Sequence, residues 1–316
     1  MATVAVVGSL ITDLTVLTPR LPVRGENLLA HRLYIGPGGK GANAAVAARR
    51  LGAQVVLVGR VGDDGFGHQE RNALRAEGVD VRGVGIDPHH PTGVAVILVD
   101  EGGENTILVV IGANDHLLPD HLMHALEPHW TTLHALLVDF EIPAATVRAA
   151  VETGHAHGIP VIVDTGPPRP YGPEIWSKAT VLSPNRLELA ALVGRPVETE
   201  TEVRAAAREL MEKGPAAVIV KLGPRGAYLL ADGLDQHIPT FSVPVVDTTG
   251  AGDAFMGALT VALAEGMSLP EAVRFANAAG ALATTRVGTL PVMPYRHEVE
   301  MLLRGSQQEF AGPGTK

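Results

Sequence analysis

The stretch DTTGAGDAF at residues 247–255 is the most informative part of the sequence, because it places small residues directly before an acid and a predicted apolar helix. Apolar residues recur at i, i+4 and i+8 from Phe255 onward, which predicts one apolar helix face. Residues 250–252 therefore fall at the helix N-terminus, where unpaired N–H groups and the positive end of the helix dipole favour an anion. The stretch predicts an anion-binding turn with a carboxylate, Asp253, beside it.

A carboxylate beside a bound phosphoryl group suits phosphoryl transfer. As a general base, Asp253 takes the proton of a hydroxyl that attacks the phosphate, while the N–H groups of residues 250–252 neutralise the developing charge. The alternative is a glycine-rich turn in which Asp253 only caps the helix. A second motif elsewhere in the chain bears on the choice between these two interpretations.

The second motif, GPGGKGANAAVAARRLG at residues 36–52, again passes from a glycine-rich turn into an alanine-rich helix, which Gly52 is placed to end. Its first turn carries Lys40 and Asn43, a cation and a carboxamide that suit the hydroxyls of a neutral polyol or help to hold a phosphate. A tight strand-to-helix connection with a solvated lysine is the alternative. The Walker motif GxxxxGK[ST] is absent, because Gly41 follows Lys40.

Composition narrows the class of protein. The 316 residues carry a net charge of −9, with 25 Lys and Arg against 34 Asp and Glu, and contain no basic run, which argues against nucleic-acid or membrane-surface binding. Cysteine is absent, so disulfides and thiolate chemistry are excluded. The N-terminus lacks a basic region followed by a signal-length apolar segment, and no stretch of 18 uninterrupted apolar residues occurs. We therefore expect a soluble, cytoplasmic protein.

Short apolar runs alternate with helical patterns along the chain, for example TVAVVGS, QVVLVGR, ALLVDF and PVIVDTG. Apolar strands joined by crossover helices predict a mostly parallel, doubly wound α/β sheet that is covered on both faces and binds ligands outside the carboxyl ends of its strands. Five polar or glycine positions each follow a predicted strand and should converge there: Asp13, Glu141, Asp164, Asn185 and Gly223.

Two segments, at about 14–36 and 92–112, show strand-like alternation without intervening helices, and the EGG turn in the second predicts a hairpin. The Gly38–Gly39 pair is either the hinge of this element or a plain tight turn. Residues 1–304 are therefore predicted to form one α/β domain with a small accessory element. Residues 305–316 are predicted to be a disordered tail.

GGKGAN and DTTGAGDAF, in this order and at this spacing, resemble the two signatures of the ribokinase (PfkB-type carbohydrate kinase) family. The resemblance continues through VAVVGSLITDL, PTGVAVILVDEGGENTILVVIGAN, LSPNRLEL, VKLGPRGAYL and RFANAAGALATTRVG, and so covers nearly the whole chain. It implies a three-layer ribokinase-like fold in which the accessory element is a β-sheet lid over the sugar. A small sheet has difficulty burying both faces alone, so a homodimer through the lid is expected.

The resemblance implies ATP-dependent phosphorylation of a sugar's primary hydroxyl, with D-ribose giving D-ribose 5-phosphate as the first expectation. Asp253 matches the catalytic base, and Gly250, Ala251 and Gly252 match the anion hole. The sugar-binding positions are Asp13, Gly39, Lys40, Asn43 and Glu141. The nucleotide-binding positions are Asn185, Lys221, Gly223, Gly226 and Asn277. Glu188 matches an acid that organises Mg²⁺ through water, and potassium activation is implied by a cation loop with Asp247, Thr249, Ala283, Arg286 and Gly288.

Two positions depart from the ribokinase pattern. Ile11 in GSLITD replaces an asparagine that contacts the sugar, and losing an amide from a polar pocket changes how it discriminates hydroxyls. Asp164 stands where ribokinases often have asparagine. Nucleoside, fructose and 2-keto-3-deoxygluconate kinases are alternatives within the family, and a non-catalytic sugar or nucleotide sensor is the alternative outside it.

Overall fold

The computed structural model describes residues 1–102 and 104–310. The strands are β1 (Thr3–Val7), β2 (Ile11–Leu17), β3 (Arg32–Gly38), β4 (Gln54–Gly62), β5 (Asp80–Asp87), β6 (Gly93–Val99), β7 (Asn105–Val110), β8 (Ala135–Asp139), β9 (Val161–Asp164), β10 (Val181–Ser183), β11 (Ala217–Lys221), β12 (Ala227–Ala231) and β13 (Leu234–Ile238). The helices are α1 (Lys40–Arg50), α2 (Gly65–Ala76), α3 (Pro119–Leu126), α4 (Ala144–Ala156), α5 (Pro173–Trp176), α6 (Arg186–Val193), α7 (Glu200–Met211), α8 (Ala251–Ala264), α9 (Leu269–Ala283) and α10 (Arg296–Phe310).

The central sheet has nine strands in the described part of the chain, in the order β13-β12-β11-β10-β9-β8-β1-β4-β5. Neighbouring strands from β11 to β5 are parallel, and β12 and β13 add an antiparallel edge. The chain passes from β1 to β4 and β5 on one side and returns to β8 on the other, so the strand order reverses between β1 and β8. The predicted doubly wound sheet is confirmed, and a ligand crevice belongs at the carboxyl ends of these two strands.

Alternate side chains of the sheet supply a separate core on each face. Val4 and Val6 of β1 pack in the cluster formed with α1, α2, α8, α9 and α10, whereas Ala5 and Val7 pack in the cluster formed with α3 to α7. All four side chains are at most 1% exposed. Burial on both faces explains the continuous apolar runs in the sequence and gives the predicted three layers.

Helix α8 is buried on all sides rather than along the single face that its apolar spacing predicts, since residues 253–262 are all buried. The helix packs between α1 and α9 within its layer. Gly257 permits the close approach, because a Cβ at this position would lie 2.6 Å from the carbonyl oxygen of Ala44 in α1. Small residues therefore bring the N-terminal turns of the two motif-bearing helices together.

A second sheet in the order β3-β2-β6-β7 confirms the predicted small β-element, and both predicted segments contribute to it. Its outer pairs are antiparallel, whereas β2 and β6 at its centre are parallel. Strand β2 begins at Ile11, before the expected start of the segment, so Asp13 lies within this lid sheet and not in a loop after β1. Strands β6 and β7 pair as the predicted hairpin does, although Gly103 of its turn lies outside the described residues.

The predicted disordered tail at 305–316 begins inside a helix, because α10 extends to Phe310. The segment QQEF contains no glycine or proline that would stop a helix, and Gln and Glu are good helix formers. The first residue of α10, Arg296, anchors the helix through hydrogen bonds to Glu265 and to the carbonyl oxygen of Leu51. Residues 311–316 lie outside the described part. No helix among the described residues has the length and apolarity that a membrane span requires.

Candidate active site

Asp253 lies in the first turn of α8 and faces the first turn of α1. Asn43 Nδ2 donates a hydrogen bond of 2.8 Å to Asp253 Oδ2, and Lys40 Nζ lies 3.6 Å from Asp253 Oδ1. The Asp253 residue is only 8% exposed. The two glycine-rich motifs therefore form one site, although Asn43 and Asp253 are 210 positions apart in the chain.

The surroundings of Asp253 act on its pKa in opposite directions. Burial raises the pKa of Asp253, and nearby Asp164 raises it further, whereas the Lys40 ammonium and the hydrogen bond from Asn43 lower it. A raised pKa strengthens a carboxylate as a base, while an adjacent cation and donor stabilise its deprotonated form. The balance of these effects agrees with the predicted role of Asp253 as a base.

The turn that precedes α8 has the backbone expected of an anion hole. Gly250 is the N-cap with a φ of 77°, a left-handed conformation that glycine adopts without strain. A Cβ at Gly252 would have no heavy atom within 4 Å, so this side of the turn is open to a ligand. The Ala251 N–H donates to the carbonyl oxygen of Thr248 at 3.3 Å, and helix geometry leaves the N–H groups of Gly252 and Asp253 without intrahelical acceptors.

A cavity of about 690 Å³ adjoins the N-terminus of α8. Ala251 and Gly252 of the predicted anion hole are among the residues that line it. Its walls include four predicted nucleotide-binding residues, Lys221, Gly223, Gly226 and Asn277. Apolar groups form much of the remainder, among them Phe241, Val243, Val245, Phe255 and Ala281. This size and lining are typical of a small-molecule site.

Asn185 and Glu188 form a capping box at the start of α6. Asn185 Oδ1 accepts a 2.9 Å hydrogen bond from the Glu188 N–H, and the Glu188 carboxylate accepts hydrogen bonds from Asn185 N and Nδ2 at 2.8 and 2.7 Å. Thr165 Oγ1 adds a donor to Glu188 Oε2 at 3.1 Å. Asn185, unlike the other predicted nucleotide-binding residues, does not line the cavity. Its contact with a nucleotide stays a prediction.

Asp164 connects Lys40 in the first turn of α1 with Lys221 in the wall of the cavity. Its carboxylate lies 3.1 Å from Lys40 Nζ and 2.6 Å from Lys221 Nζ, and its side chain is 4% exposed. The two ammonium groups hold the pKa of Asp164 below its usual range despite burial. Lys221 Nζ also lies 3.8 Å from Glu188 Oε2. The departure at residue 164 therefore ties the α1 turn to the cavity wall, a role that the sequence could not assign.

Two of the predicted sugar-binding residues, Lys40 and Glu141, are joined through Ser9. Ser9 Oγ donates a 2.6 Å hydrogen bond to Glu141 Oε2 and accepts one of 3.0 Å from the Lys40 N–H. Asn43 Oδ1 is buried and has no hydrogen-bond partner among the described residues, which leaves an acceptor for a ligand hydroxyl. Burial raises the pKa of Asp13 to about 6, against a hydrogen bond from Thr289 Oγ1 of 2.8 Å that lowers it.

The turn before α1 is held tightly against the lid. Gly39 has a φ of 90°, and a Cβ there would lie 2.7 Å from the Ile11 N atom. Glu70 of α2 accepts hydrogen bonds from Thr12 Oγ1 and the Gly38 N–H, at 3.2 and 3.3 Å. These contacts account for the glycine pair by close packing, and the hinge function stays a prediction.

Ile11 lies on the same face of β2 as Asp13, since side chains two residues apart point the same way in a strand. It is 3% exposed and packs with Ala95 and Ile97 of β6. The lid therefore presents an apolar surface immediately beside the Asp13 carboxylate.

The predicted cation loop is formed by two joined segments. Asp247 Oδ1 accepts from the N–H and hydroxyl of Thr249 at 2.9 and 2.7 Å, and its Oδ2 accepts from the Gly288 N–H at 3.0 Å. The Asp247 N–H donates to the carbonyl oxygen of Thr284 at 3.1 Å. Arg286 turns its side chain to Glu298, and Ala283 is buried at the end of α9.

Two polar residues that touch the predicted site carry no sequence signal of their own. Ser9 and Thr289 hydrogen-bond to Glu141 and Asp13, which are 132 and 276 positions away in the chain. A serine or threonine is common in any loop, so only the folded chain reveals these contacts.

The chain matches the family model described as pfkB family carbohydrate kinase over residues 1–296. A ribokinase of Bacillus subtilis (strain 168) is 41% identical over 303 residues, which cover 96% of this chain and 100% of the relative. A deoxyribokinase of Salmonella typhi is 36% identical over 292 residues, which cover 92% and 95%. The structure of Arabidopsis thaliana ribokinase complexed with ribose and ATP has a TM-score of 0.87 at 36% identity, covering 96% of this chain and 99% of the other. The chain thus belongs to the pfkB family of carbohydrate kinases and is a phosphotransferase that acts on an alcohol group.

Proposed function

We propose that this kinase transfers the γ-phosphoryl group of ATP to the primary hydroxyl of D-ribose and so forms D-ribose 5-phosphate. The buried Asp253 carboxylate carries the proposal, because it lies between the polar turn of α1 and the anion hole beside the cavity. The ribokinase of Bacillus subtilis and the Arabidopsis ribokinase complexed with ribose and ATP support the choice of substrates.

Asp253 accepts the proton of the primary hydroxyl as the hydroxyl oxygen attacks the γ-phosphorus. The oxygen's electron pair forms the new P–O bond, and the bond to the bridging oxygen breaks with its electrons leaving on ADP. N–H groups at the start of α8 stabilise the charge that develops on the transferred group. The Lys40 ammonium, 3.6 Å from Asp253 Oδ1, stabilises the carboxylate before the proton arrives.

The sugar's other hydroxyls meet acceptors of different kinds. The unpartnered Asn43 Oδ1 accepts a hydrogen bond, as do the carboxylates of Asp13 and Glu141. Ser9 orients Glu141 through its 2.6 Å hydrogen bond. These three acceptor groups suit a polyol, because each hydroxyl can donate to one of them.

The nucleotide occupies the 690 Å³ cavity with its phosphates toward the start of α8. Asn277 Nδ2 donates to the carbonyl oxygens of Ile238 and Pro239 at 3.0 and 3.2 Å, so it holds the wall behind the cavity. Lys221 closes the phosphate end of the wall and is held by Asp164. An ATP-using enzyme agrees with the cytoplasmic location expected from the sequence.

Glu188 fits the Mg²⁺ that accompanies ATP. Its two oxygens accept three hydrogen bonds from Asn185 and Thr165, and an ionised carboxylate offers about four lone-pair sites, so a water ligand of the ion finds an acceptor. Glu188 would hold Mg²⁺ through water, and the ion would supply neutralisation of phosphate charge.

The loop built around Asp247 fits a monovalent cation. Carboxylate, hydroxyl and carbonyl oxygens are hard donors, and the Arg286 side chain leaves the loop to pair with Glu298. Asp247 and Thr249, with the backbone oxygens of Ala283, Arg286 and Gly288, would hold potassium. Its charge would stabilise a phosphoryl group held at the anion hole next to the loop.

A turnover assay tests the assignment. ADP formation is measured with Mg²⁺ and potassium over ribose, 2-deoxyribose, fructose, 2-keto-3-deoxygluconate, adenosine, cytidine and pseudouridine. We expect the highest kcat/KM with ribose. Selective turnover of another compound would move the substrate within the family, and no turnover of any would favour the sensor.

A second candidate substrate is 2-deoxyribose, because Ile11 places an apolar side chain beside Asp13 and a deoxyribokinase is 36% identical. An apolar wall cannot pair with a hydroxyl, so it tolerates a sugar that lacks one. Exchanging Ile11 for asparagine should raise the ratio of kcat/KM for ribose to that for 2-deoxyribose by about tenfold. The buried Ile97→Val change is the control, since it keeps the lid apolar. An unchanged ratio would show that residue 11 does not contribute to the choice between ribose and 2-deoxyribose.

We propose a homodimer through the lid. The edge strands β3 and β7 expose a run of large apolar side chains, each 45% to 64% exposed: Leu33, Tyr34, Ile35, Ile107, Leu108, Val109 and Val110. Pairing of two lids buries this surface. Leu108→Asp should convert the dimer to a monomer in sedimentation velocity, whereas Leu187→Asp, at an exposed leucine on α6, should leave it dimeric. A wild-type monomer at micromolar concentration would contradict the proposal.

A further inference from the structure

Thr289 joins the lid to the body of the enzyme. Its hydroxyl donates a 2.8 Å hydrogen bond to Oδ2 of Asp13, which belongs to lid strand β2. Thr289 itself lies in the body, at the residue before the short 3-10 helix Leu290–Val292. The contact connects the predicted sugar-binding carboxylate with a residue that no motif contains.

On the body side, Thr289 lies beside Gly250 of the predicted anion hole, and its neighbour Gly288 contacts the predicted cation loop. A Cβ placed on Gly250 of the anion hole would lie 3.5 Å from Thr289 Cα. The preceding residue, Gly288, donates its N–H to Asp247 Oδ2 of the cation loop at 3.0 Å. A short chain of contacts therefore leads from Asp247 through residues 288 and 289 to Asp13.

The Asp13 carboxylate takes a donor from outside the lid. A Cβ at Gly38 of the neighbouring strand would lie within 2.8 Å of Asp13 Cγ, so the carboxylate lies close against β3. A buried carboxylate is costly unless donors satisfy it, and Thr289 supplies a hydroxyl from the body. The hydrogen bond from Thr289 therefore favours one orientation of the carboxylate.

We propose that Thr289 is a positioning residue, which orients the Asp13 carboxylate for the sugar and transmits the occupancy of the cation loop to it. The inference rests on the proposed sugar and cation sites. A cation that orders the loop orders residue 288, and through it the donor at residue 289. Sugar affinity then depends on the cation even when no nucleotide is bound.

Ribose binding to the full-length protein without nucleotide tests this, measured by calorimetry in potassium chloride and in tetramethylammonium chloride. Wild type and Thr289→Ser keep the hydroxyl, and both should bind ribose several-fold more tightly in potassium. Thr289→Val should bind about tenfold more weakly than wild type in potassium and equally in both salts. In steady-state assays the same variant should raise KM for ribose and leave kcat within about twofold.

Thr285→Val is the matched control, because the Thr285 hydroxyl donates to the Leu282 carbonyl oxygen in the same loop and not to Asp13. It should retain the cation effect, and thermal unfolding of all variants checks that they fold. The inference would be overturned if Thr289→Val bound ribose with wild-type affinity and wild-type cation response. It would also be overturned if the ribose affinity of the wild type were the same in both salts. A wild type that neither binds nor phosphorylates ribose would instead overturn the proposed function, and wild type alone reveals that outcome.

Discussion

Replacing Asp253 by asparagine should lower kcat by about 10³-fold while ribose still binds. Asparagine has nearly the same shape and retains an oxygen for the Asn43 Nδ2 donor, which lies 2.8 Å away. An amide cannot accept the proton of the attacking hydroxyl, so only the chemical step is lost. Steady-state kcat and calorimetric ribose binding, both at saturating Mg²⁺, separate these two effects.

Asp232→Asn is the control for this substitution, because Asp232 is exposed in the turn between β12 and β13. It should leave kcat unchanged. Wild-type turnover in Asp253→Asn would mean that residue 253 only caps α8, which is the alternative that the sequence leaves open. Loss of ribose binding together with turnover would place Asp253 among the binding groups instead.

Replacing Lys40 by methionine should lower kcat by about 10²-fold at neutral pH. The Lys40 ammonium lies 3.1 Å from Asp164 and 3.6 Å from Asp253, and it is the leading group that lowers the pKa of Asp253 against burial. Without this cation the folded-state pKa of Asp253 rises. The base is active only when deprotonated, so the acid limb of the kcat–pH profile should move to higher pH, with partial recovery of kcat as the pH rises.

Methionine preserves much of the length of the Lys40 side chain, but it leaves the buried carboxylates without one of their cations. We therefore expect the free energy of unfolding in urea to fall by about 3 kcal/mol. Lys213→Met removes a lysine in the turn after α7 that pairs with Glu209 near the end of that helix, and it should change neither kcat nor the profile. An equal loss of kcat at every pH would show that Lys40 acts on the phosphate and not on the base.

The two glycine-rich motifs were recognisable in the sequence because helix N-termini and their small residues are local features. Their meeting point did not follow from the strand pattern, since α1 follows lid strand β3 and α8 follows a segment without a strand. The convergence of Glu141, Asp164 and Gly223 was predictable, because the carboxyl ends of parallel strands share one edge of a sheet. The family resemblance implied that both motifs serve one site, and the Asn43–Asp253 hydrogen bond joins them.

The role of Asp164 was not predictable, because its partners Lys40 and Lys221 are 124 and 57 positions away and neither spacing marks a motif. The lid illustrates the same limit. Alternating residues predicted its strands, but the parallel pairing of β2 with β6 joins segments separated by α1, β4, α2 and β5. That pairing holds β2, and with it Ile11 and Asp13, in the lid.

Local patterns in the sequence were enough to predict the βαβ order, the anion-binding turn and the candidate base Asp253, and to reveal the family resemblance. Periodicity and glycine placement act over a few residues, so they are legible without a structure. The folded structure was needed to show that Asp164 links two lysines, that Ile11 packs with Ala95 and Ile97 of β6 and that Thr289 in the body donates to Asp13. Those contacts depend on how crossovers and strand register bring distant segments together, and the side chains involved carry no mark of their partners.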